Sequence, residues 1–266
     1  MPQRGKTSIF DLNNKNVATI FNEKQTYKDT ITNYKTFHGY FPMPEILDYD
    51  DEEMIIIEEL VKHKANYENN NADYSYVVED IFKKTINYLS MVSKEFRFLS
   101  KTPMELLNEL PKNDKIVGYI WNNIDAKIKE LLFPFVKLHG DLRTLNVLVN
   151  TDDNVIKYID FEHSNMLIFF YDVLKFMWSE FRTIKKTFYK KGFINGKYDR
   201  YFEKMFALFN LEFNEKYKID YLNIFFLNYC KERWFYLSEK QRRCEFNLYK
   251  NFTGCLIWIE SINRFC

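Results

Sequence analysis

Short β-prone runs give way to long helical stripes along this chain, and the change falls near Glu59. Before it, "TSIFDL" and "NVATIF" are separated by "NNKN", a polar stretch suited to a hairpin turn. "MIIIEEL", Met54 to Leu60, is an apolar β-branched run fit for a buried strand. Between them, "NEKQTYKDTITNYKTF" carries a helical rhythm, and the two prolines of "YFPMPEILDYD" stop that helix before another short strand. Four strands and one helix are therefore expected here.

Beyond Glu59, "DYSYVVEDIFKKTINYLSMVSKEF" spaces Tyr76, Val77, Ile81, Ile86, Leu89 and Val92 at helical intervals, and "VGYIWNNIDAKIKELLFPF" continues that style to Pro134. "YFEKMFALF", "YLNIFFLNYCKERWFYL" and "NLYKNFTGCLIWIESI" predict further helices. The exception is "VKLHGDLRTLNVLVNTDDNVIKYIDFE", where "NVLV" and "VIKYI" flank the turn signal "NTDDN" and predict a tight hairpin. After "IDFE" helix signals resume almost at once. The expected class is α+β, with a small β-rich lobe over residues 1–60 and a larger, mostly helical lobe over 61–266 that carries the hairpin.

Composition changes this picture little. A chain of 266 residues with 46% hydrophobic content can bury a full core, and 38 basic residues against 37 acidic ones give no global field for nucleic acid or an anionic membrane. Cys230, Cys244, Cys255 and Cys266 are widely spaced, which suggests neither zinc nor a disulfide framework. The N-terminus has no apolar h-region and no apolar run is long enough to span a bilayer, so a cytoplasmic protein is expected. The aromatic residues, 26 Phe and 19 Tyr, are assigned to the core by default.

The hairpin region carries the candidate chemistry. Asp141 follows a glycine and precedes a loop, Asn146 lies where that loop enters the first hairpin strand, and Asp160 ends the second strand, beside Asn146. An amide oxygen and a carboxylate are the oxygen donors that Mg²⁺ takes from a protein when phosphate supplies the rest. Asp141 is then left to orient a hydroxyl and accept its proton as it attacks a phosphoryl group.

"HGDLRTLN" followed by "IDFE" resembles the catalytic and metal-binding motifs of the protein-kinase-like superfamily, in its aminoglycoside phosphotransferase and choline/ethanolamine kinase branch. The stretch "YIDFEHSNMLIFFYDVLKFMWSE" is similar to the choline/ethanolamine kinase pattern. The resemblance implies a two-lobed kinase-like fold and transfer of the γ-phosphoryl group of ATP to a hydroxyl of a sugar, amino alcohol, aminoglycoside or other glycan. It implies Asp141 as base, Asn146 and Asp160 as Mg²⁺ ligands, Arg143 as a cation offsetting charge on the transferring group, His139 as a prop for the loop and Asp172 as a brace. It further implies a hinge in which backbone groups of Glu58, Glu59 and Leu60 hold the adenine.

Two features of the family's pattern are missing. Thr19 stands where the ATP-gripping lysine would fall and Thr30 where its partner glutamate would, and Gly5 is the only glycine before Gly39, so no glycine-rich loop exists. The nucleotide is then held differently, with Lys15 and Lys24 as candidates, or the chain is a pseudokinase serving as a binding or scaffold module. "RGKTS" fails as a phosphate loop because no first glycine and no strand precede it, which leaves a contact from Lys6 to phosphate as the residual reading. Glu162, Trp178 and Glu180 follow the metal motif and are candidates to line an acceptor pocket, with buried core as an equal alternative for Trp178. The basic stretch from Arg182 to Arg200 reads as a solvated helix and loop, ahead of a site for an anionic acceptor.

Overall fold

The structure, a computed structural model, describes residues 5–63, 71–184 and 187–254. The chain packs into two compact units: the residues up to Tyr88 with His139–Ser164, and Leu89–Leu138 with the residues from Asn165 onward. This grouping differs from the expected division at residue 60, because the hairpin segment packs with the first sheet and helix.

In the first unit, β1 (Lys6–Asp11), β2 (Asn16–Phe21), β3 (Ile46–Asp50) and β4 (Ile55–Glu59) form one antiparallel sheet in the order β1-β2-β4-β3. Helix α1 (Lys24–Phe37) lays Tyr27 and Ile31 against Phe21, Ile46, Met54 and Ile56 of this sheet. Four strands and one helix are thus present as expected. The hairpin is present too, as β7 (Val147–Val149) and β8 (Ile156–Tyr158), in antiparallel register with Val147 opposite Tyr158. Phe161, just beyond β8, packs 4.8 Å from Phe37 and 6.0 Å from Phe41 between ring centroids, and Tyr158 lies 5.2 Å from Phe41. The Lys157 ammonium donates to the Met43 carbonyl and to the Glu59 carboxylate. These contacts fasten the hairpin segment to α1 and its following loop.

Helix α2 (Asn71–Lys94) continues the chain into the second unit. There β5 (Leu99–Lys101), β6 (Phe133–Leu138) and β9 (Asn165–Ile168) form a second antiparallel sheet, in the order β5-β6-β9. This sheet corrects two expectations. The helical style does not run on to Pro134: after α3 (Pro103–Asn108), α4 (Lys115–Asn122) and α5 (Ala126–Lys129) the chain enters β6 at Phe133, where Pro134 has no N–H for a helix and its carbonyl accepts the Phe169 N–H. Nor do helices resume directly after "IDFE", since β9 intervenes and pairs with β6.

The second unit is otherwise helical, with α6 (Tyr171–Ile184), α7 (Phe188–Ile194), α8 (Asp199–Ala207), α9 (Lys218–Arg233) and α10 (Glu239–Thr253). Helix α9 is buried at every position from Tyr221 to Cys230, so it is buried all round rather than on one stripe. Asn223 donates to the Asn123 carbonyl and accepts from the Tyr249 hydroxyl, while Asn228 accepts from the Ile168 N–H through Oδ1 and its Nδ2 meets no hydrogen-bond partner among the described residues. Cys230 is a buried free thiol. Cys255, Cys266 and the end of the last expected helix lie outside the described residues. No helix among the described residues is long and apolar enough to cross a membrane.

Candidate functional site

The motif "HGD" opens the hairpin segment of the first unit. Gly140 has φ +81, a left-handed conformation that a side chain would strain, so the glycine is required to turn the chain between His139 and Asp141. His139 is buried, with Nε2 2.9 Å from the Ile159 carbonyl and Nδ1 accepting from the Asp141 N–H at 3.4 Å. The carbonyl partner assigns the ring proton to Nε2, which leaves Nδ1 as the acceptor. The imidazole also packs 4.3 Å from the Phe161 ring, so it bridges the loop before Asp141 and the strand end before Asp160.

Asp141 is buried, its Oδ2 3.3 Å from Arg143 Nε in an ion pair whose arginine side is 40% exposed. Its carbonyl accepts from Asn146 Nδ2 at 2.9 Å. That bond orients the Asn146 carboxamide, with Nδ2 engaged and Oδ1 available to a cation. A single 3₁₀ turn, Thr144–Asn146, completes the loop, with the Asn146 N–H on the Arg143 carbonyl. The hairpin ladder then runs one pair beyond β7 and β8, through Ile159 N–H to the Asn146 carbonyl at 3.1 Å. Asp160 follows directly. The hairpin therefore returns the second carboxylate to the neighbourhood of the amide.

Asp160 adopts φ 66° and ψ 50°, left-handed for a residue with a side chain. Non-glycine residues held there concentrate where function requires it. The kink separates the two neighbouring side chains: Phe161 goes into the aromatic cluster, and Asp160 meets the ammonium of Lys6. Lys6 Nζ is 3.0 Å from Asp160 Oδ1 and 2.6 Å from Glu162 Oε2, with all three side chains under 20% exposed. Burial alone would push the Lys6 ammonium toward the neutral form, but the two carboxylates outweigh it and its pKa is raised.

Glu58 on β4 shares this environment. Burial pushes its carboxyl above the ordinary value of 4.5; Lys6 opposes the shift and Asp160 adds to it. A carboxyl whose folded-state pKa is raised binds its proton more tightly in the native state, so native stability falls as pH rises past the unfolded value. Glu58→Gln should therefore melt higher than the parent protein at pH 7, and the difference should vanish as pH falls below 4.5. Thermal melts at several pH values measure this; equal melting temperatures at pH 7 would count against it.

The donor set fits a hard divalent cation. One amide oxygen and one carboxylate oxygen are what Mg²⁺ takes from a protein, and an ammonium already rests against Asp160. Among the described residues no cluster of three or more His, Cys, Asp or Glu side chains could hold a metal by itself.

The other expected residues are distributed as follows. Glu162, a candidate for acceptor contact, is engaged by Lys6. In the expected hinge, the Glu59 and Leu60 N–H groups are donated to the Glu45 and Lys15 carbonyls. In the second unit, Asp172 opens α6 and is buried, as is Glu180. Trp178 is fully buried, 4.7 Å from Phe226 and 5.3 Å from Phe252, and takes its core alternative. Lys190 donates to the Asn251 carbonyl and Lys197 stacks on Phe188, so these members of the basic stretch serve local packing. Residues 185 and 186 of that stretch lie outside the described residues.

Asn33 and Phe161 escaped the sequence argument. Asn33 is buried on α1 and donates to the Phe161 carbonyl at 2.8 Å, one turn beyond Thr30. A polar residue among Tyr27, Ile31 and Phe37 on a core-facing stripe was its available signal.

No protein-family model matches the chain, and no curated protein matches it. Solved structures do. An amicoumacin kinase in complex with AMP-PNP and Ca²⁺ aligns over 95% of this chain and 89% of its own, with TM-score 0.51 and 11% identity. A choline kinase from Streptococcus pneumoniae aligns over the same shares, with TM-score 0.50 and 13% identity. An aminoglycoside phosphotransferase from Streptomyces rimosus aligns over 85% of this chain and 94% of its own, with TM-score 0.42 and 10% identity. The fold is kinase-like, as the motifs around Asp141 and Asp160 had implied.

Proposed function

We propose that this protein is a phosphotransferase that moves the γ-phosphoryl group of ATP to a hydroxyl of a small molecule or glycan, the acceptor being a sugar, an amino alcohol or an aminoglycoside. The observation that carries the reading is the bond from Asn146 Nδ2 to the Asp141 carbonyl, on a hairpin whose register brings Asp160 back to Asn146. It ties a base to two oxygen donors within one unit. Small-molecule kinases among the structural neighbours support the same reaction class.

In this reading Asp141 orients the acceptor hydroxyl and takes its proton. Arg143, half exposed beside it, holds positive charge where the transferring group passes. His139 fixes the loop through its contacts with the Ile159 carbonyl and the Asp141 N–H, and Asp172 is assigned as a further brace. Asn146 and Asp160 hold Mg²⁺, which when bound supplies charge neutralisation at the phosphate oxygens. The base of the nucleotide falls to the Glu58–Leu60 segment, through backbone groups other than the committed N–H groups of Glu59 and Leu60. The cytoplasm, which supplies ATP and Mg²⁺, is the setting of this activity.

Calorimetric titration with ATP, with and without Mg²⁺, should show binding that depends on the metal; absence of binding under both conditions overturns the proposal. A screen of hydroxyl acceptors with radiolabelled ATP then identifies the acceptor class. Thr19 at the lysine position favours a second reading, a pseudokinase acting as a binding or scaffold module. That reading predicts metal-dependent ATP binding with no turnover on any acceptor.

A further inference from the structure

Lys6 sits at an unusual place for a cation with so much to hold. It is the first residue of β1, opposite Phe21 in the register, and its ammonium is withdrawn from solvent between Asp160 and Glu162. On the adjacent strand, Thr19 is buried and pairs with Ser8, its hydroxyl 3.2 Å from the Ser8 hydroxyl. Side chains two apart on a strand share a face, and residues directly opposite on paired strands share one too. Lys6, Ser8, Thr19 and Phe21 therefore lie on a single face of the sheet. Lys15 is in the β1–β2 turn with φ +53, its carbonyl holding the Leu60 N–H, and Lys24 begins α1. The structure brings neither of them to Asp160.

We propose that Lys6 is the phosphate-gripping cation of the nucleotide site, supplied by β1 in place of the missing lysine on β2, and that it shares Asp160 with the metal. The inference rests on the phosphotransferase reading. Its physical content is a balance of charge. Asp160 and Glu162 both rest against one ammonium, so the site retains negative charge that a single lysine does not neutralise. A divalent cation held by Asp160 would compete with Lys6 for that carboxylate, and two cations would crowd there unless an anion accompanies the metal. Nucleotide phosphate is that anion: it gives the displaced ammonium a partner within reach of its present position, because the flexible lysine stem can turn about its strand anchor. Lys6 thus opposes metal binding alone and favours metal binding with nucleotide. Glu162 serves as its second anchor.

The test uses Lys6→Met, which keeps the aliphatic stem, and Lys6→Arg, which keeps the charge, each checked for an unchanged melting transition. AMP-PNP binding in the presence of Mg²⁺ should weaken by about 10- to 100-fold in Lys6→Met, the range for loss of a charge-assisted hydrogen bond, and be largely retained in Lys6→Arg. Mn²⁺ binding without nucleotide should instead tighten in Lys6→Met. A merely structural lysine would not give effects of opposite sign. AMP-PNP affinity unchanged by Lys6→Met, or a joint loss of AMP-PNP and Mn²⁺ binding, overturns the proposal while leaving the phosphotransferase reading in place. Failure of the parent protein to bind AMP-PNP overturns both.

Discussion

Asp141→Asn should lower the rate of phosphoryl transfer by about 100- to 10,000-fold, the range for removal of a positioned general base. Binding of ATP with Mg²⁺ should stay close to that of the parent protein. The separation of effects follows from how the loop is built. The backbone of Asp141 makes its structural contacts, with the N–H on His139 and the carbonyl on Asn146, and both survive the substitution. Only the carboxylate is lost, and with it the proton acceptor and the partner of Arg143. Turnover in saturating nucleotide, measured beside calorimetric affinity, separates the outcomes. Turnover at the parent rate would remove Asp141 from the mechanism, and loss of nucleotide binding would mean the carboxylate holds the fold of the loop.

Phe161→Ala should cost about 3–5 kcal/mol of stability, the usual loss for a large buried aromatic side chain. Its ring touches Phe37, Phe41 and His139, and its carbonyl accepts from the buried Asn33 amide. Truncation opens a cavity between α1 and the hairpin while leaving Asn33 its backbone acceptor. Urea unfolding should show a lower midpoint with little change in slope. Phe161→Leu, which keeps most of the volume, should cost less than half as much. A midpoint shift for Phe161→Ala equivalent to less than about 1 kcal/mol would show that the cluster collapses around the missing ring. Because Phe161 follows Asp160, metal-dependent nucleotide binding should weaken in the same variant.

The sequence disclosed what depends on neighbouring residues and hid what depends on distant ones. The hairpin was legible because "NTDDN" is a turn flanked by two apolar runs, and α1 because its stripe ends at a pair of prolines. Once the hairpin is placed, the neighbourhood of Asn146 and Asp160 follows from antiparallel register alone. By contrast, β6 and β9 are short apolar runs, "FPFVKL" and "NMLI", which periodicity does not distinguish from buried helix. Lys6 and Asp160 are 154 positions apart, and nothing local to "RGKTS" announces a carboxylate partner. Trp178 shows a position the sequence left open between core and acceptor pocket: only its helix packing against Phe226 and Phe252 makes its burial visible.

The discontinuity of the first unit has a consequence for how it is made. Its sheet and first helix are synthesised early, but Tyr158 and Phe161, which complete the aromatic cluster against α1, come only after the whole stretch from Leu89 to Leu138. A nascent chain that ends at Tyr88 keeps the Tyr88 ring on Phe37 and Phe41 but lacks the Tyr158 and Phe161 rings that complete their cover, and the edge strand β1 shows Ile9 and Phe10. Such a fragment has a ready surface for mispairing and lacks the rings that would cover it. Closure waits until His139–Ser164 has emerged, and it must then span a long intervening segment, which slows folding relative to a unit built from one stretch of chain. The residues that hold the segment around Asp160 in place thus also end a vulnerable interval in the life of each new molecule.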